Sequence, residues 1–197
     1  MSLRLFAAVD VPEDARAELA GAVRRLRHSL QRAGLEDALR WVAVENLHLT
    51  LRFLGNIADD AAPSVIAAMQ EPLACGPGAL ELAGLGTFPP RGRPRVLHVA
   101  VSRGTDRLRT LRDAVDDRLS PLCRWEPETR PFAPHLTLAR GRDAAKFNPV
   151  DLSRLIQDAG WPPVAFEVSH VTLYSSRTLP AGPEYTPEAR AALRSQQ

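Results

Sequence analysis

Two periodicities alternate along the chain. Leu3–Val11 is an almost unbroken apolar run of strand length, the signature of a buried strand. Pro12 then opens a stretch with helical spacing, with Glu13 and Asp14 in its first turn and Gly34 as its stop. Proline and acidic side chains at the start and glycine just past the end bound a helix on both sides. Alternation returns at Arg40–Val44 and Leu47–Leu54, predicting two strands, the second ending at Gly55. Asp59 or Asp60 is placed to cap a second helix through about Leu73. Leu80–Phe88 and Val96–Ser102 read as a strand pair joined by the proline-rich turn from Pro89 to Pro94. Thr105 or Asp106 opens a third helix with an apolar stripe at Leu108, Leu111, Val115 and Leu119. A strand at His135, a short helix near Leu152–Ala159 and a final strand from Val164 to Tyr174 complete the pattern.

Strand, helix, strand, strand, helix, strand therefore run roughly twice. Hairpin-length links dominate and no glycine-rich phosphate loop occurs, which predicts antiparallel sheets in an α+β arrangement. No linker is polar or long enough to separate independent domains, so residues 1–197 are expected to form one bilobed domain, each half of the chain a lobe. A net charge of +2 is too small to imply wholesale coating of nucleic acid. Of 25 basic residues only Lys146 is lysine. Arginine suits phosphate, but a genome rich in G and C produces the same bias. Only arginines beside the motifs described next carry a functional reading. Cys75 and Cys123 lack metal or redox spacing and point to a reducing compartment. The first apolar run is too short for a signal peptide, and no stretch reaches the ~18 apolar residues of a membrane span. A cytoplasmic protein without a membrane partner is expected. No large apolar helix face is left over, so a monomer is expected.

His-Leu-Thr-Leu occurs twice, at His48–Leu51 and His135–Leu138, once in each half. Side chains alternate along a strand, so each copy presents histidine and threonine to one face and two leucines to the other. The same parity adds Arg52 to the His48 face, puts Phe53 with the leucines, and turns Arg140 away from His135. Pro134 favours an extended backbone just before His135. One such copy is ordinary strand content; two in matching positions of a repeated pattern are not. Two histidines could begin a metal site, but no third ligand is evident. A Ser or Cys nucleophile lacks the glycine pattern of a nucleophile elbow. Phosphate chemistry by a paired acid and base fits better. Imidazole, with a free pKa near 6.5, can be neutral on one ring and charged on the other near neutral pH, and arginine would stabilise growing negative charge. His170-Val-Thr-Leu173 has a similar form but lacks the leucine after histidine and a partner half, and reads as an ordinary strand position. His28 reads as solvated, and His98 as structural or groove-lining.

The paired motifs and their flanks resemble the 2H phosphoesterase superfamily and, within it, the RNA 2',3'-cyclic phosphodiesterases historically called 2'-5' RNA ligases. The resemblance includes Arg4-Leu-Phe-Ala-Ala-Val-Asp-Val-Pro12, Asn46–Gly55, Phe88 with Arg95–Val99, Phe132–Arg140, Leu173–Ser176 and Gly182–Tyr185. It implies two pseudo-symmetric lobes, each an antiparallel sheet with helices packed outside, and a cleft between them holding both histidines. It further implies hydrolysis of RNA ends bearing a 2',3'-cyclic phosphate to 2'-phosphomonoesters, without metal or cofactor, with 2'-5' joining as the reverse reaction. In that scheme His48 donates a proton to the leaving 3' oxygen, His135 activates water, Thr50 and Thr137 hold the phosphate, and Arg52 and Arg140 assist electrostatically. Relatives often carry an aromatic residue where this chain has His98, leaving base stacking to Trp41, Phe88 and Phe132. The alternative is a non-catalytic module gripping the phosphate of an RNA end or cyclic nucleotide, for which arginine or lysine would serve better than histidine.

Overall fold

The structure is a computed structural model describing residues 2–90, 93–126, 128, 130–142, 160–179 and 182–195. Strand β1 (Ser2–Asp10) leads into helix α1 (Glu13–Arg32), the short β2 (Leu39–Trp41), β3 (His48–Ala58) and helix α2 (Ala62–Ala68). Strands β4 (Gly78–Phe88) and β5 (Val96–Arg103), helix α3 (Thr105–Leu119), β6 (His135–Gly141), β7 (Val164–Val168), β8 (His170–Leu179) and β9 (Gly182–Ala192) follow. The named strands pair antiparallel in the order β7-β4-β5-β6-β3-β1-β8-β9, with β2 on β6. Two sheets, β7-β4-β5-β6 and β3-β1-β8-β9, meet through a single residue pair, Leu49 with Leu136. The α+β expectation holds, and each lobe is an antiparallel sheet.

The lobes are not the two halves of the chain. The C-terminal β8 and β9 complete the sheet of β1 and β3, while β2 joins β6. Burial explains the exchange. Leu5–Val9 are almost wholly inaccessible, and a strand buried on both faces needs a bonded neighbour on each side for its N–H and C=O groups. Beneath this interleaving lies a repeat: β1-α1-β3 and β5-α3-β6 each lead a strand through a helix back to an antiparallel neighbour that carries His-Leu-Thr-Leu.

The predicted stripe of α3 is buried at all four positions, and α1 buries Ala15, Leu19, Ala22, Val23, Leu26 and Leu30. The motif leucines Leu49, Leu51, Leu136 and Leu138 are buried as well, each contributing about 1.5–3 kcal/mol by leaving water. They root the two histidine strands in the core.

Several boundaries differ from expectation. Gly55 does not end its strand. It adopts φ +77° opposite Leu5, and β3 continues to Ala58 across a bulge at Leu54. The Arg40–Val44 strand is only Leu39–Trp41 and gives way to a 3-10 turn at Val44–Asn46. Helix α2 starts at Ala62 with a proline in its first turn and no side-chain cap, and stops at Ala68. Leu73 instead bonds through its backbone to Ala192 and Arg194. Helix α3 opens at Thr105, as expected, directly after Gly104 at φ +94°. The final strand breaks at Ser169 into β7 and β8, which belong to opposite lobes. Strand β9, which carries Pro183 and Pro187, is not among the expected strands; among the described residues its strand partner is β8 alone, and an edge strand tolerates proline. The helix expected at Leu152–Ala159 lies outside the described residues. No described helix is long and apolar enough to cross a membrane.

Candidate active site

The pairing of Leu49 with Leu136 fixes the site. Carried one residue either way, that antiparallel register sets His48 against Thr137 and Thr50 against His135. Directly paired side chains share a face about 4.5–5.5 Å apart, and diagonal neighbours lie about 7–8 Å apart. In that register the histidines and threonines of the two motifs alternate about the Leu49–Leu136 pair. His48 stands on β3 and His135 on β6, one in each sheet, where the two sheets meet.

Both rings are oriented by the same device. His48 Nδ1 lies 2.8 Å from the carbonyl oxygen of Asn46, and His135 Nδ1 lies 2.8 Å from that of Ala133. A carbonyl oxygen only accepts, so Nδ1 carries hydrogen in both rings and Nε2 is the nitrogen left for proton transfer. The residue between is extended in each case: Leu47 at φ −69°, ψ 123°, and Pro134, whose ring fixes φ near −65°. His48 Nε2 also meets Thr50 Oγ1 at 3.1 Å, accepting from the hydroxyl when the ring is neutral and donating to it when protonated. Burial pushes the pKa of both histidines down, opposed by their carbonyl bonds; Arg140 pushes both down as well.

Strand parity fails immediately after each threonine, and in the same way. Ala8 pairs with Thr50 and Ala7 with Arg52, so Leu51 is a bulge. His98 pairs with Thr137 and Leu97 with Ala139, so Leu138 is the matching bulge. An extra residue in one strand reverses the faces of those beyond it. Arg52 is thereby turned from the histidine face and buried, 6% exposed. Its guanidinium pairs with Asp116 of α3, with Nε–Oδ1 at 2.6 Å, and reaches Glu128 at 3.6 Å and the face of Trp125 at 5.5 Å. The expected role of Arg52 at the phosphate is therefore corrected to a tie between β3 and α3. Phe53, expected with the leucines, is instead 52% exposed and lines the cavity, as does Arg140 from the equivalent position of β6.

The cavity, about 750 Å³, is lined by His48, Thr50, Phe53, Thr137 and Arg140 together with Phe6, Arg40, Trp41 and Tyr185. His135 lies outside this lining, beside Phe88 at 4.8 Å and His98 at 5.2 Å. His48 is flanked by Phe6 at 5.0 Å and Tyr185 at 5.3 Å, the latter edge-on. No cluster of three or more His, Cys, Asp or Glu side chains suited to a metal is gathered among the described residues.

The profile of the 2'-5' RNA ligase superfamily matches residues 12–179. The chain belongs to the 2'-5' RNA ligase superfamily. A relative from Aeropyrum pernix, named RNA 2',3'-cyclic phosphodiesterase, is 35% identical over 168 residues, covering 85% of this chain and 92% of that protein. A solved structure from Thermus thermophilus superposes with TM-score 0.77 at 29% identity over 98% of this chain and all of the other. Escherichia coli LigT in complex with 3'-AMP gives TM-score 0.68 at 26% identity, over 99% of this chain and all of LigT.

Within this 2'-5' RNA ligase superfamily member, His48, Thr50, Thr137 and Arg140 line the cavity, the last against the expectation from parity, and His135 stands on the adjoining strand outside that lining. Of the rings expected to stack on a base, Trp41 lines the cavity with Arg27 above it at 5.5 Å. Phe88 packs on His98 at 4.2 Å and on His135. Phe132 lies outside the cavity lining, under Arg112 at 4.8 Å. Sequence reasoning missed Phe53, Tyr185 and Asp10. Asp10 pairs in register with His48 and accepts hydrogen bonds from His170, Thr172 and Tyr174.

Proposed function

We propose that the protein is an RNA 2',3'-cyclic phosphodiesterase working by paired-histidine acid–base catalysis. The carrying observation is that two imidazoles with the same Nδ1 anchor stand on the adjoining strands β3 and β6, with the Thr50 hydroxyl at Nε2 of His48. In the reaction, His135 Nε2 removes a proton from water as its oxygen attacks phosphorus. The P–O3' bond breaks, and protonated His48 Nε2 returns a proton to the 3' oxygen, leaving a 2'-phosphomonoester. Thr50 and Thr137 donate to the non-bridging oxygens, and Arg140 faces the charge that develops there. Phe53 and Trp41 offer flat faces to the terminal base. The names of the curated relatives support this substrate, and the reverse direction, 2'-5' joining, would use the same residues.

Incubating the protein with an oligonucleotide ending in a 2',3'-cyclic phosphate, chelator present, is expected to yield a 2'-phosphate. A 3'-phosphate product, or none, would overturn the reading. Capture of phosphate without turnover predicts binding without the bell-shaped pH–rate curve of an acid and a base.

A further inference from the structure

The third histidine–threonine pair, His170 and Thr172, is not part of the reaction just described, yet both side chains converge on one carboxylate. Asp10 Oδ2 accepts from His170 Nε2 at 2.9 Å and from Thr172 Oγ1 at 2.7 Å, and Oδ1 accepts from Tyr174 Oη at 2.6 Å. Alternate residues of β8 thus present three donors to the last residue of β1. Asp10 is in turn the cross-strand partner of His48. In the other copy of the strand-helix-strand repeat, the partner of His135 is Ala100. The two histidines share anchor, strand and threonine, but only one has a carboxylate as its paired neighbour.

We propose that Asp10 is a positioning residue that makes His48 the acid: its negative charge, on the cross-strand partner of His48, favours the imidazolium form of that ring, while His135 beside Ala100 serves as the base. This inference rests on the acid–base reading above and adds what decides the direction of proton flow. Burial works against an ionised Asp10, but the bonds from His170, Tyr174 and Thr172 outweigh it and hold the carboxyl at about 2. It is therefore charged wherever imidazole titrates. The other ring nitrogen of His170, Nδ1, lies 3.1 Å from Ser169 Oγ, so both nitrogens of that ring have partners and Nε2 is the one directed at Asp10.

The other groups around His48 do not supply this charge. Arg140 and His135 on β6 disfavour a protonated ring, and burial disfavours it most. Tyr185 on β9 and Tyr174 on β8 present aromatic rings at 5.3 and 6.3 Å, with phenols that burial pushes above their ordinary range. Asp10 is the carboxylate that counters them, alongside the Asn46 carbonyl. Tyr174 also stacks on Phe6 at 5.3 Å, and Phe6 backs the imidazole of His48, so the same residues steady the ring mechanically.

The test is an NMR titration of the histidine rings in the full-length wild type, Asp10→Asn and Tyr174→Phe, with pH–rate profiles on the cyclic-phosphate oligonucleotide. In Asp10→Asn, the His48 midpoint is expected to fall by about one pH unit or more, with His135 moving much less. The alkaline limb of the rate profile should move to lower pH by a similar amount, the acidic limb staying in place. A stationary His48 midpoint, or movement of the acidic limb instead, would overturn the proposal. Tyr174→Phe leaves Asp10 ionised, so its His48 midpoint is expected to stay near wild type; should Asp10→Asn fail to fold, Asp10→Ser, which also removes the charge, carries the test, with a fall of the His48 midpoint expected and no fall refuting the proposal. The ring titration needs no turnover, so an inactive wild type would sink the functional reading separately from this one.

Discussion

Strands β3 and β6 start from the same tetrapeptide and end as different tools. Each anchors its histidine on the carbonyl two residues back, buries its two leucines, and bulges directly after the threonine. The residue brought inward by the bulge is Arg52 in one and Ala139 in the other; the residue brought to the cavity is Phe53 in one and Arg140 in the other. His48 lies among Phe6, Tyr185 and Asp10, and His135 among Phe88, His98 and Ala100. Duplication sets a histidine–threonine pair on each of two adjoining strands, the arrangement on which the proposed paired-histidine reaction rests. The unlike neighbours supply a direction, giving a cationic side, an apolar side and one histidine with a negative companion.

The largest test removes each histidine in turn. His48→Ala and His135→Ala are each expected to lower kcat on a cyclic-phosphate oligonucleotide by roughly 10²–10⁴-fold, with the far-UV spectrum and melting temperature near wild type because neither ring belongs to the apolar core. Wild-type rate in either variant would break the comparison at its base.

The two arginines beside the motifs should then part company. Arg52 is buried in an ion pair with Asp116, with Arg112 and Glu128 also bonded nearby at 3.0 Å. Losing the buried guanidinium leaves Asp116 with Arg112 at 3.8 Å, so Arg52→Ala is expected to cost about 1–3 kcal/mol in denaturant unfolding, with kcat per folded molecule nearly retained. Arg140→Ala should do the opposite, leaving stability within about 0.5 kcal/mol while kcat/KM falls roughly 10–100-fold through loss of a charge facing the phosphate. Equal effects of the two would contradict the bulges.

This pair also shows what could be read from the sequence and what could not. The helical stripe of α3, the hairpin of β4 and β5, and the faces of the two tetrapeptides follow from local periodicity, and the structure contains all of them. The bulges do not. They arise where β3 meets β1 and β6 meets β5, so one unpaired leucine in each reverses the parity that assigned Arg52 and Arg140 to their faces. Asp10 was hidden for a related reason. At the end of an apolar run it reads as a lead into the helix, and its three donors lie more than 150 residues away. The distribution of β7, β8 and β9 between lobes depends on which sheet edge is free, a property of the assembled fold.

The smallest expected effect concerns His98, which stands beside His135 as Phe6 stands beside His48. Its ring closely overlies Gly86: a Cβ there would lie 2.6 Å from His98 Cε1. Burial, with the neighbouring His135, pushes its pKa down to about 4. The folded protein therefore holds His98 neutral where the unfolded chain, with an ordinary value near 6.5, would protonate it. The sign follows: the unfolded state binds more protons as pH drops, so this residue lowers stability progressively from about pH 6.5 to about pH 4. The loss should approach about 2 kcal/mol after allowance for solvent screening. His98→Phe keeps an aromatic ring over Gly86 without the proton site, and its stability should fall less steeply across that interval in denaturant titrations at stepped pH. Its turnover near neutral pH is expected to stay within about threefold of wild type, because a neutral ring on the base's side supplies packing and no charge. Identical pH slopes for the two proteins would mean that His98 titrates normally. The difference in burial between the two histidine environments would then be smaller than their geometry implies.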